Sequence, residues 1–278
     1  MSGYVFCLVL LAAVLHASWN AIVKGGGDKW LSTILVAAFS ALASAPALLF
    51  LPAPAPASWP FLLASTVCQC LYFVLLARAY RLADLSQVYP LMRGCAPLLV
   101  TAVAVLAMGE GLPQSAFIGI GAICAGILAM ACGLLRGETA TGVPTALLNA
   151  LVIAAYTLID GVGVRRAGSP LAYLCWLLLL TGLPLMFCGL AFRGRELRAY
   201  LRRHWRFGLA GGIGSVGSYG VALWAMTQVP VAMVAALRET SILFGALISW
   251  RLLHERIGAQ RLLAVAMIAV GAMALRLG

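Results

Sequence analysis

Two arginines, Arg93 and Arg238, stand inside apolar runs, and each is followed 17 residues later by a glutamate, Glu110 and Glu255. An arginine deep in an apolar segment costs a few kcal/mol or more and faces a protein interior or a water-filled cavity. Arg93 lies roughly eight residues into its run, about 12 Å deep at 1.5 Å per residue, and Arg238 is similarly deep. Two chemistries fit. One is a structural ion pair, with Asp160 or Glu239 as the partner. The other is a guanidinium held for a carboxylate, phosphate or phosphonate, which it can grip with two parallel hydrogen bonds. Glu239, Thr240 and Ser241 extend Arg238 into a four-residue polar run that helix packing does not need. Helix neighbours point about 100° apart, so Arg238 and Glu239 cannot pair well with each other.

His16, Trp19 and Asn20 form a second group. His16 and Asn20 are four apart and share a helix face, with Trp19 beside them. At an offset of 140 their counterparts are Tyr156 and Asp160. These residues read as lining a cavity; a satisfied structural histidine and a solvated cap at Asp160 are the alternatives. Tyr72, Tyr89, Tyr219 and Trp224 are candidates for an aromatic wall, which suits an ammonium group through cation–π contact. The competing role for such rings is the interfacial belt, which fits Trp30, Trp59 and Trp205 at helix ends. If the chemistry moves a proton, His16 or Glu239 would carry it. Glu110 and Glu255 read as caps on the first turns of the helices that follow them, where the helix dipole favours an anion. The eight cysteines all fall in apolar segments, and Cys68 and Cys70 do not share a face, so neither a metal site nor a disulfide framework is expected. No nucleophile–base motif is present, and no cofactor or enzymatic activity is expected.

The elements that carry these residues follow from composition. Of 278 residues 63% are hydrophobic and 10% charged, which excludes a soluble globule. Apolar stretches long enough to span a bilayer predict ten transmembrane helices, at 3–23, 31–51, 59–77, 85–107, 115–135, 143–164, 171–192, 207–227, 229–253 and 258–275. The fold class is therefore an all-α integral membrane protein. The first helix lacks a basic leader and a cleavage site, and reads as retained. The link 52–56, Pro-Ala-Pro-Ala-Pro, is stiff and uncharged. Only 193–206 has room for extra structure; it is basic and amphipathic and suits the anionic inner leaflet.

The net charge of +11 does not point to nucleic acid, because its distribution is one-sided. Loops after odd-numbered helices, with the adjoining helix ends, carry 14 Lys and Arg, against 3 on the other side (Arg165, Arg166 and Arg276). The positive-inside rule then puts the odd loops in the cytoplasm and both termini outside.

The chain also repeats. Arg93 aligns with Arg238, Glu110 with Glu255, and Gly126 with Gly271, all at an offset of 145. Tyr72 with Tyr219 falls at 147. The unit has five helices, so the second copy must enter the membrane from the opposite side. This predicts two inverted repeats, 1–136 and 137–278, of the kind that marks secondary transporters with a site near the midplane. Pro90 and Pro97 flank Arg93 and could kink its helix for structure or for function. Gly208-xxx-Gly212, Ala210-xxx-Gly214-xxx-Ser218 and Ala122-xxx-Gly126 are small-residue faces that let helices pack closely.

Residues 16–24, His-Ala-Ser-Trp-Asn-Ala-Ile-Val-Lys, together with 89–97 and 236–241, resemble segments of the drug/metabolite transporter superfamily, in its EamA-like branch. The resemblance runs over essentially the whole chain. It implies an alternating-access carrier of small metabolites in a cell membrane of the bacterial inner or plasma type, often an exporter of amino acids or related compounds. Some relatives are linked to phosphonate use, which would suit two arginines. Many relatives keep both termini in the cytoplasm, and the charge count here favours the reverse. The function expected is a secondary transporter or facilitator for a small polar metabolite, zwitterionic or anionic, amino-acid-like or aminophosphonate-like. Arg93 and Arg238 would hold the negative group. His16, Trp19, Asn20, Tyr72, Tyr89, Tyr156, Asp160, Tyr219 and Glu239 would complete the site. The partners are this solute, the lipid bilayer and, if there is coupling, protons. The alternative is a membrane-embedded enzyme or flippase acting on a lipid-linked phosphate.

Overall fold

The computed structural model describes residues 1–82, 85–132, 142–245, 247 and 259–277, and contains no strand among them. We number the α-helices α1 (Gly3–Gly25), α2 (Lys29–Ser44), α3 (Trp59–Leu82), α4 (Leu85–Leu106), α5 (Gln114–Cys132), α6 (Val143–Arg166), α7 (Pro170–Met226), α8 (Val231–Arg238) and α9 (Ala259–Leu277). Among the described residues, five stretches are long and apolar enough to cross a membrane: Gly3–Val23, Lys29–Leu49, Pro56–Leu76, Val143–Arg166 and Pro170–Met226. Large apolar side chains such as Leu63, Val67, Phe187 and Val270 are exposed around the outside. Water would not tolerate so extensive an apolar surface, and lipid requires one. The chain is a multi-pass membrane protein.

Local chemistry sets the helix ends. Ser2, Asp28 and Ser169 cap α1, α2 and α7 by accepting the amides of Val5, Leu31 and Ala172. Helix α2 ends at Ser44, short of the expected 51, because Pro46 cannot continue the ladder and the chain tightens into a 3-10 turn over Ala45–Leu49. Gly109, at φ 67°, turns the chain out of α4. Helix α4 itself runs through Pro90 and Pro97 as one element.

Helix α7 covers two expected spans and the link between them. A β-carbon on Gly182 would lie 2.7 Å from the Ala37 carbonyl oxygen, and one on Gly212 2.8 Å from the Phe39 carbonyl carbon. Thirty helical residues would separate Gly182 and Gly212 by about 45 Å if α7 were straight. Both can reach one turn of α2 only if α7 doubles back, and the corner is Arg193, whose φ −138° and ψ 37° are not helical. The first leg is 170–192 and the second 194–226. The link expected at 193–206 is therefore this corner and the opening turns of the second leg. Its Leu197 is buried against Leu31 and Ile34 of α2.

Arg193 bonds to Asp28 at 2.6 Å and to Glu196, and Tyr200 shares a hydrogen bond of 2.7 Å with Ser32. Burial pushes the Asp28 carboxyl up, but the Leu31 amide and the Arg193 guanidinium outweigh it and hold it below the ordinary carboxylate value.

Two expectations change here. Glu110 does not cap α5. Both of its carboxylate oxygens accept the Val231 amide, at 3.0 and 3.3 Å, so it caps α8 from 121 residues away. The N-cap of α8 is Pro230, which has no side-chain acceptor, and the open amide draws in a carboxylate from elsewhere. Arg165 completes the knot, bonding Glu110 at 3.0 Å, the Met226 carbonyl at 2.8 Å and the Val229 carbonyl at 3.2 Å. Glu255 lies outside the described residues. The expected helix 229–253 is also interrupted: α8 stops at Arg238, residues 239–240 form a turn, and helix resumes over 241–245. Around the break the amides of Glu239, Thr240, Ile242 and Leu243 reach back three residues instead of four.

Helices α5 and α9 pack through small residues. A β-carbon on Gly119 would lie 2.7 Å from the Gly271 carbonyl oxygen, and one on Gly271 2.6 Å from the Gly119 oxygen. Gly126 approaches the Ala264 carbonyl in the same way, at 2.9 Å.

Candidate functional site

Helices α1, α2, α3, α4, α6 and α8 and both legs of α7 line a cavity of about 90 Å³. Its wall contains His16, Trp19, Tyr72, Arg93, Tyr156, Tyr219 and Arg238 of the residues expected from sequence. Gln69, Arg93 and Tyr156 lie about 10–20 Å from the starts of their helices at 1.5 Å per residue, so the cavity is at mid-depth.

The two arginines differ in their partners. Arg93 Nε donates to Glu239 Oε2 at 2.8 Å, and both side chains are buried. This is the structural pairing that the sequence left open. Arg238 is 7% exposed, and its guanidinium carbon stands 5.0 Å over the centre of the Tyr219 ring. Its Nε finds no hydrogen-bond acceptor among the described residues. A buried guanidinium resting on a ring and lining a cavity is suited to an incoming anion.

The aromatic residues form the rest of the wall. His16 meets Trp19 edge-on at 5.1 Å, and Tyr72 meets Tyr156 edge-on at 6.1 Å. Trp224 is not in this wall; it packs edge-on to Tyr4 at 5.9 Å. The Tyr89 side chain lies outside what the structure describes.

Three expected residues stand off the wall. Asn20 turns its amide along its own helix to the His16 carbonyl, at 2.8 Å. Glu239 faces Arg93. Asp160 is not a solvated cap: it is fully buried behind Tyr219. Its Oδ1 accepts the Tyr173 hydroxyl at 2.9 Å, and its Oδ2 accepts the Tyr219 hydroxyl and the Gln69 amide at 3.4 Å. It is buried because α6 is packed between α3 and α7 at this level, where a β-carbon on Gly163 would strike Phe61 and Tyr173.

Helices α2 and the first leg of α7 contribute wall residues that the sequence reading passed over, among them Thr33, Ser40 and Thr181. Single hydroxyls in apolar helices carry little signal, because they can bond their own backbone, as Ser40 does to the Val36 carbonyl at 2.8 Å. Gln69 was legible: it is a large amide in an apolar run, three residues before Tyr72 and so on its face.

Residues 140–277 match the model of the EamA-like transporter family. Over that half, the chain belongs to the EamA-like transporter family. No curated protein matches the chain. A solved structure described as "Crystal structure of protein" superposes with a TM-score of 0.77 over 100% of this chain and 98% of its own, at 18% identity. At that identity the likeness shows a shared fold alone. As an EamA-like family member the chain falls among membrane transporters of small solutes, and its mid-depth cavity is the natural candidate site.

Proposed function

We propose that the chain is a secondary transporter that moves a small polar metabolite, zwitterionic or anionic, by alternating access. The observation that carries this reading is Arg238, buried on the cavity wall with an Nε that finds no acceptor among the described residues. The solute's negative group, a carboxylate or phosphonate, binds there. An ammonium group, where present, meets the faces of Tyr72, Tyr156 and Tyr219. Arg93 completes the positive side of the site while held by Glu239.

The moving parts in this reading are two inverted five-helix repeats, 1–136 and 137–278, forming ten crossings with both termini outside. The packing of α5 on α9 supports it. Gly119 meets Gly271 and Gly126 meets Ala264, and the offset of 145 that aligns the repeats converts one pair into the other. Such reciprocity is the mark of a two-fold relation. The interruption of helix beside Arg238 supports it as well, since broken helices near the midplane are where such carriers bind solute.

The test is uptake of labelled amino acids, aminophosphonates and amines into proteoliposomes. Arg238→Ala abolishes uptake of the transported solute, and Arg93→Ala lowers it strongly. Normal transport by both variants would overturn the site.

A further inference from the structure

Resting on the transporter reading, we infer that Asp160 takes up a proton when an anionic group occupies the cavity, so that anion and proton binding are linked. The described residues hold two cations and two anions in this region: Arg93, Arg238, Glu239 and Asp160. Glu239 is committed to Arg93. Asp160 is fully buried, and its hydrogen-bond partners among the described residues, Tyr173, Tyr219, Gln69 and Ser65, are all neutral. Tyr219 links Asp160 to Arg238, with its hydroxyl on Asp160 Oδ2 and its ring under the guanidinium at 5.0 Å.

Among the described residues, no charged side chain bonds to Asp160. Helix α3 presents Cys68 and Gln69, the first leg of α7 presents Tyr173, the second presents Tyr219, and α6 itself adds Tyr156. Helix α4 presents Arg93, already paired with Glu239, and α8 packs the apolar Val231 against the neighbouring Gly161. An anion that binds Arg238 cancels that positive charge and sets a negative one on the far side of Tyr219 from Asp160. A buried carboxylate that loses nearby positive charge is neutralised by a proton. Tyr219 and Gln69 touch both Asp160 and the cavity, so the proton can arrive from the same water that brings the solute. The protonated carboxyl then donates to the Tyr219 oxygen or to a turned Gln69 amide. A zwitterion brings its own positive charge and needs no proton.

The experiment titrates the purified protein with propionate, alanine and ethylamine, similar in size, between about pH 5 and 9, reading affinity from the ligand-induced thermal shift. One linked proton weakens propionate about tenfold per pH unit as pH rises through the linked range. Alanine affinity stays level. Asp160→Asn abolishes the propionate slope. Tyr219→Phe, which keeps the carboxylate and removes one bond to its ionised form, moves the slope to higher pH and decides the matter if Asp160→Asn does not fold. Propionate binding that is level in the wild type overturns this inference and leaves the transporter reading standing. A slope that survives Asp160→Asn unchanged, or does not move in Tyr219→Phe, does the same. If no probe binds at any pH, the assigned site falls and the inference with it.

Discussion

Glu239 Oε2 lies 2.8 Å from Arg93 Nε, with both side chains 5% exposed, and this contact decides how the polar run 238–241 is divided. Arg238 turns to Tyr219 and the cavity, Glu239 turns to Arg93, and the Thr240 hydroxyl bonds back to the Leu237 carbonyl at 2.7 Å. Only the first of the three is available to a solute. Removing one member of a buried pair strands the other, so Glu239→Ala should cost about 3–5 kcal/mol of stability. Replacing both Arg93 and Glu239 by methionine removes the stranded charge and should recover most of that loss. Unfolding in detergent measures both. A double variant as unstable as the single would show that the pair does not act as a unit. At this scale the sequence left the partners of its candidate residues open. Arg93 could have paired with Asp160 or Glu239, and no local spacing distinguishes them. Asp160 could have been a wall residue or a solvated cap near its helix end, and it is fully buried because α3 and α7 close over it.

Among the elements, α5 and α9 approach until backbone meets backbone at Gly119 and Gly271. An Ala at 271 would set its β-carbon 2.6 Å from the Gly119 oxygen, and the helices would have to part. Gly271→Ala should destabilise by about 1–3 kcal/mol despite its better helix propensity. Gly121→Ala, on the exposed face with nothing within 4 Å, should be neutral or mildly stabilising. Equal effects at the two positions would exclude close packing as the reason for Gly271. The Ala122-xxx-Gly126 spacing announced a packing face on α5 but not the helix it meets. The corner of α7 was less legible still. The run 193–206 is polar enough to read as a separate link, yet its Leu197 and Tyr200 reach α2, so the helix turns at Arg193 and continues.

For the whole molecule, the 14-to-3 distribution of Lys and Arg makes orientation a direct test of the ten-crossing reading. In a cysteine-free background, Ala53→Cys, in the exposed link after α2, should react with a membrane-impermeant thiol reagent in intact cells. Ala199→Cys, just past the α7 corner, should react only after the membrane is opened. The reverse pattern would invert the assignment of sides. By itself the sequence determined that this is a helical membrane protein, that two arginines lie in its apolar runs, and that Arg93, Glu110 and Gly126 recur as Arg238, Glu255 and Gly271 at an offset of 145. Those facts are local or periodic: apolar run length, residue type and recurrence need no knowledge of which helix touches which. Only the tertiary structure decided that Arg93 answers to Glu239, 146 residues away, and that Glu110 caps a helix beginning at Val231. It alone decided that Arg238 rests on Tyr219 at the cavity wall while Arg93 is held by Glu239. A buried charge takes its counter-charge from whatever the packing brings within reach, and packing joins positions that the chain keeps far apart.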